Sequence, residues 1–163
     1  MKIGIISSIM DGWSYEEMID EISRLGYDSV EVACWPQGKS ERRYGGVSHI
    51  DTENMTKEYK DHILSYAKDH KIEISSLAYY PNTMDSDIKH LYSVIDASHF
   101  LGVDLVTTFI GRDQYKTIED NLILAKEIWT PILSYAKERN VRIAIENCPM
   151  LFGPDQWPGG QNI

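Results

Sequence analysis

The chain has 163 residues, 42% hydrophobic and 25% charged, which suits the core of one soluble globular domain. Its formal charge of −9, from 25 acidic against 16 basic residues, makes it a poor partner for nucleic acid or an anionic membrane. No apolar run approaches the roughly 20 residues of a membrane-spanning helix, and Met1-Lys2-Ile3-Gly4-Ile5-Ile6 is too short and too soon polar for a signal peptide, so a cytoplasmic protein is expected.

The first strand is expected over Lys2–Ile6. Tyr15, Met18, Ile19, Ile22 and Leu25 then recur at helical spacing. Ser14 with Glu17 forms a capping pair ahead of that helix, and Gly26 stands where it would end in a left-handed residue. A second strand is expected over Ser29–Ala33, followed by a long loop, Pro36–Asn54, and a helix carrying Tyr59, Ile63, Tyr66, Ala67 and His70 on one stripe. A third strand, Ile72–Ala78, precedes a helix marked by Ile88, Leu91, Tyr92 and Ile95, with Gly102 past its end. A fourth strand, Leu105–Phe109, leads to the longest helical pattern, Ile118 to Ala136, opened by Thr117 and Asp120. The fifth strand is Val141–Ile145, closed by Glu146. Leu25-Gly26-Tyr27-Asp28 echoes Leu101-Gly102-Val103-Asp104, and Ser65-Tyr66-Ala67-Lys68 recurs as Ser134-Tyr135-Ala136-Lys137. Both echoes skip one strand–helix unit, as repeated βα building blocks would.

Strand–helix alternation with short returns implies a parallel sheet. Five strands and four helices are little more than half of a closed barrel, which takes about 250 residues. The expected fold is therefore an α/β (β/α)8 TIM barrel truncated to about five strands and four helices, with residues 1–163 as its N-terminal part. The competing architecture is a complete five-stranded open sheet of doubly wound type, which would normally finish with a helix over its last strand.

Parallel strands bring their C-terminal ends to one face. Those ends offer Ser7, Ser8, Asp11 and Trp13; Glu31, Cys34 and Trp35; Tyr79 and Tyr80; Thr108, Arg112 and Asp113; Glu146 and Asn147. Carboxylates, amides and hydroxyls between aromatic walls suit a small polyhydroxylated ligand. Three Trp residues, Trp13, Trp35 and Trp157, fall in predicted loops, where an exposed indole is costly. Cys34 and Cys148 make neither a disulfide framework nor a redox motif and read as small buried thiols. His62, His70, His90 and His99 fall in helical segments as surface or packing residues, whereas His49 in the second loop could reach a ligand.

Gly26-Tyr27-Asp28-Ser29-Val30-Glu31, Ile74-Ser75-Ser76-Leu77-Ala78-Tyr79-Tyr80-Pro81-Asn82 and Ile143-Ala144-Ile145-Glu146-Asn147 resemble the xylose isomerase-like TIM barrel superfamily, and within it the sugar phosphate isomerase/epimerase branch. The resemblance implies a divalent metal (Mn, Mg, Co or Zn) with Glu146 as its first ligand, the remaining ligands being expected beyond Ile163. It also implies that Glu146 is one of two glutamates exchanging a proton next to a carbonyl through an enediolate. Trp13, Glu31, Trp35, Tyr79 and Asn147 are the substrate-binding candidates. The expected ligand is a sugar or sugar phosphate in carbohydrate metabolism. The family's DNA-repair endonucleases use histidines on strands three and four, and those strand ends here, Leu77-Ala78-Tyr79-Tyr80 and Thr107-Thr108-Phe109-Ile110, have none. An inosose-type dehydratase on the same barrel and a non-catalytic remnant remain alternatives. With one ligand in hand, weak metal binding and little turnover are expected of this polypeptide alone, and its open sheet edges predict a homo-oligomer.

Overall fold

The computed structural model describes residues 1–38, 45–84, 88–113 and 115–146. Its elements follow the sequence pattern closely: β1 (Gly4–Ile6), α1 (Tyr15–Arg24), β2 (Ser29–Ala33), α2 (Lys57–Asp69), β3 (Glu73–Ala78), α3 (Lys89–Leu101), β4 (Leu105–Thr108), α4 (Ile118–Glu138) and β5 (Arg142–Ile145). A single 3-10 turn, Ser7–Ile9, follows β1. Helices α1, α2 and α4 begin where side chains can take up free backbone N–H groups. Ser14 accepts from Glu17 N while Glu17 returns the bond to Ser14 N, a full capping box. Thr56 and Thr117 cap α2 and α4 in the same way through the N–H groups of Tyr59 and Asp120. Gly102 ends α3 at φ 78°, a conformation that costs glycine nothing.

All strand pairs are parallel, and the spatial order is β1-β2-β3-β4-β5, the same as the chain order. That order decides between the two expected architectures. A doubly wound sheet reverses direction at a switch point, whereas a barrel adds each strand on the same side. Right-handed crossovers that always advance one way put every helix on one face. Met18, Ile19, Ile22, Ile63, Leu91, Val94, Ile95 and Ile132 from the helices meet Val30, Val32, Leu77 and Val106 from the strands in one apolar core. The architecture is thus a five-stranded, four-helix part of a TIM barrel.

The other face of the sheet is the one a barrel would enclose. Glu31, Ser76, Thr107 and Ala144 lie on it, by the register of β2 to β5. β3 carries a register shift there: Val30 pairs with Ile74, but Glu31 pairs with Ser76, leaving Ser75 over. Such a bulge inverts the alternation downstream. Leu77 and Tyr79 turn to the helices, where both are buried, and Ser76 turns to Glu31.

Candidate functional site

Glu31 is the centre of the polar cluster on the inner face. Ser76 Oγ donates to its Oε2 at 2.9 Å, and the Tyr80 hydroxyl donates to its Oε1. The pairing of Ala33 with Ala78 one step further along the strands leaves only methyl groups there, which gives the Tyr80 ring room to reach back. That ring packs on Phe109, with centroids 4.7 Å apart. Burial first, then the neighbouring Glu31 charge and the bond donated to it, pushes the Tyr80 phenol well above its ordinary range, so it stays a neutral donor.

Glu146 follows β5 and extends the ladder by one bond, its N–H donating to Thr108 O at 2.9 Å. Its side chain is on the exposed side of the site. The carboxyl is nonetheless held above the usual carboxylate range, by partial burial first and by the charge of Glu31 second. Glu146 in turn contributes to the upward shift of Tyr80. The middle of β2 and the residues just past β3 and β5 therefore bring Glu31, Tyr80 and Glu146 into one electrostatic group.

The other sequence candidates lie elsewhere. Trp13 is exposed in the loop before α1, beside Asp11 and Gly12. Trp35 is half-buried and meets the Tyr79 ring edge-on at 5.1 Å, and Tyr79 meets His90 of α3 at 4.8 Å. Tyr79 is 5% exposed. Trp35 and Tyr79 are thus brought together, but Tyr79 is on the helix side of the sheet, and the tyrosine that joins Glu31 is its neighbour Tyr80. Period-2 counting from Ile74 puts Tyr79 on the inner face; the bulge at Ser75 reverses it. Ser76 was not a sequence candidate, and no local signal in Ser75-Ser76 says which serine the bulge will turn inward. Asn147, Cys148 and Trp157 lie outside the described residues.

His49 is engaged within the fold. It is buried, with Nδ1 3.0 Å from Ser7 Oγ and Nε2 3.2 Å from Met10 O. The Met10 carbonyl can only accept, so Nε2 carries a proton; in the neutral ring, which burial favours, Nδ1 accepts from Ser7 Oγ, and Ser7 Oγ also accepts from Ala33 N at 2.8 Å. The set ties the turn after β1, the end of β2 and the second loop together. His62, His70, His90 and His99 bond Glu16, the Tyr66 carbonyl, the Cys34 carbonyl and the Arg139 carbonyl respectively, as packing and surface residues do. The Cys34 thiol is fully buried and its pKa raised by that burial.

No group of three or more His, Cys, Asp or Glu side chains comes together among the described residues. Glu31 and Glu146 alone do not make the several-ligand shell that a divalent cation requires. No described helix is long and apolar enough to cross a membrane.

Residues 19–157 match the xylose isomerase-like TIM barrel family. A search of curated proteins finds no match. Among solved structures, the chain is similar to a D-tagatose 3-epimerase-like protein, with TM-score 0.62 and 15% identity over 91% of this chain and 54% of that one. The D-allulose 3-epimerase of Methylomonas sp., solved with D-allulose, gives TM-score 0.62 and 15% identity over 92% of this chain and 52% of that one. The IolI protein, solved with a binding zinc atom, gives TM-score 0.59 and 17% identity over 89% of this chain and 51% of that one. The chain spans about half the length of the solved structures it matches. At such identities the likeness shows the fold.

Proposed function

Because the chain belongs to the xylose isomerase-like TIM barrel family, we propose that it acts on a small sugar or sugar phosphate as an isomerase or epimerase, with Glu146 moving a proton at a carbon next to a carbonyl. The observation that carries this reading is the carboxyl of Glu146 at the end of β5, held above its ordinary range by burial and by Glu31. A carboxylate shifted toward neutrality is a better proton acceptor and returns the proton more readily. The epimerase names of two structural neighbours support the reaction class.

In this reading Glu31, fixed by Ser76 and Tyr80, accepts ligand hydroxyls with its remaining lone pairs. Trp13 and Trp35 form apolar walls on the same rim. Tyr79 supports Trp35 from beneath, and Asn147 completes the polar set. A divalent metal, when bound, would polarise the carbonyl, and Glu146 is the ligand proposed for it. The described residues do not enclose a cation, so no step is derived through one, and turnover by this polypeptide alone is proposed to be slow. Self-association is proposed through the edges of β1 and β5, each paired on one side only among the described residues, and the exposed Ile118, Leu122, Ile123 and Leu133 of α4.

The test is a side-by-side assay of ketohexoses, ketose phosphates and inosose with Mn²⁺, Mg²⁺ or Co²⁺. Epimerised or isomerised sugar is the expected product. Water loss from inosose with no change in any sugar would replace this reading with a dehydratase.

A further inference from the structure

The two flanks of α4 are used unequally. Its buried face, Ala125, Trp129, Ile132 and Ala136, lies on the strands. One flank is taken by α3: the Tyr135 hydroxyl donates to Asp96 Oδ2 at 2.8 Å, the same ring stands edge-on to Tyr92, and Arg139 pairs with Asp96. At 3.6 residues per turn the opposite flank carries Glu119, Leu122, Lys126, Leu133 and Lys137 within roughly 60° of arc, with Ile123 and Thr130 beside them. All of these are exposed. Apolar side chains scattered singly on a surface are ordinary, but a stripe of them beside an open strand edge marks an interface.

The stripe is complementary to itself. The pairs Glu119/Lys137, Ile123/Leu133 and Lys126/Thr130 are each centred on position 128. Laid antiparallel on its own copy about a two-fold axis at that level, α4 sets Glu119 against the partner's Lys137. Leu122 and Ile123 meet the partner's Leu133, and Lys126 meets the partner's Thr130, so no like charges face each other. Every contact then occurs twice. A parallel arrangement would put Glu119 on Glu119 and Lys137 on Lys137. A head-to-tail arrangement would bring the stripe onto the open flank of α1 at the other end of the sheet. The middle of that flank carries Glu17, Glu21 and Arg24, the last two paired with each other, and leucine gains nothing against carboxylates. Two chains of charge −9 repel at long range, so local pairing of opposite charges is what sets the register.

We propose that the flank of α4 turned away from α3 is a docking surface for a second copy of this chain, bound as an antiparallel, two-fold α4–α4 pair. The inference rests on the self-association proposed above and narrows it to one face and one symmetry. One helix from each partner makes a small interface, so the dimer is weak and forms with rising concentration.

The experiment is sedimentation velocity over a concentration series on the wild type, Glu119→Lys, Lys137→Glu, the double variant and an equimolar mixture of the two single variants. Each single reversal turns two attractive contacts into two repulsive ones and is expected to weaken the dimer at least about fivefold. The double variant and the mixture both restore opposite charges across the axis and are expected to return toward the wild type. High salt should shrink the differences. Far-UV circular dichroism and thermal midpoints check that these exposed positions leave the fold intact. Leu133→Glu is the charge-independent handle and is expected to give monomer. Leu25→Glu, at an exposed position on the α1 side, is expected to change nothing. A dimer that ignores the α4 variants, a double variant no better than the single ones, or sensitivity at Leu25 would overturn the α4 pair and leave self-association to the strand edges. A wild type that stays monomeric would overturn both, and neither result bears on the sugar chemistry.

Discussion

The Tyr80 hydroxyl donates to Oε1 of Glu31 while Ser76 holds Oε2, so β3 clamps both oxygens of a carboxylate on β2. A bond to a charged, partly buried acceptor is worth more than a neutral one, about 1.5–3 kcal/mol. Tyr80→Phe is expected to lower the urea unfolding free energy by about 2 kcal/mol. In a double-mutant cycle with Glu31→Gln the two changes are expected to be less than additive. Full additivity would mean that the two side chains do not interact in solution.

Gly111 makes a sharper structural prediction. Gly111→Ala forces a left-handed conformation on an L side chain and sets its Cβ against Asn82 and Thr83. The expected loss is about 2 kcal/mol or more, seen as a lower thermal midpoint. Gly102→Ala is the control: φ is 78° there too, but nothing lies within 4 Å of the added Cβ, so its loss should be distinctly smaller.

His49 links stability to pH. Burial lowers its pKa below the ordinary histidine value, outweighing the Met10 carbonyl and Asp11, which raise it. The unfolded chain therefore binds a proton at a pH where the folded chain does not. This contribution is complete above the unfolded value of about 6.5 and is lost as pH falls from there through the folded value. Urea midpoints are expected to drop between pH 7.5 and 5.5, and His49→Gln is expected to flatten that drop. An unchanged slope in the variant would mean that other groups set the pH dependence.

Much of this was legible in the sequence, and the reasons differ by element. The capping pairs at Ser14 and Thr117, and the stripes of α1 and α4, carry their own local chemistry, so those helices fall where periodicity puts them. Strand order was legible only indirectly: alternation fixes parallel pairing, whereas the barrel order of β1 to β5 followed from the strand count and the family resemblance rather than from any local signal. The inner face was half legible. Glu31 alternates with the buried Val30 and Val32, and Glu146 stands at a strand end, so simple counting finds both. Tyr80 stood beside Tyr79 at the end of the third strand, but which of the two faces inward, and the inward turn of Ser76, were hidden by the bulge at Ser75, a tertiary event with no marker such as glycine or proline in Glu73-Ile74-Ser75-Ser76-Leu77. His49 read as a loop histidine because nothing local announces that Ser7 and Met10 will meet it.

The edges of β1 and β5, left open among the described residues, and the apolar surface of α4 predict self-association. Sedimentation velocity should show mass above that of the monomer, rising with concentration, and Leu122→Glu should move the population toward monomer. A monomer at every concentration in the wild type would remove this part of the account.

The proton transfer proposed for Glu146 is the centre of this account, so the most direct measurement is hydrogen exchange at carbon. A ketohexose and its phosphate are incubated with the full chain and Mn²⁺ in deuterated buffer, and deuterium next to the carbonyl is read by NMR. Slow incorporation above a protein-free control is expected for the wild type and none for Glu146→Gln, which should fold within about 0.5 kcal/mol of the wild type. Incorporation at equal rates in both proteins, or no more than the protein-free control in either, would contradict the role given to Glu146.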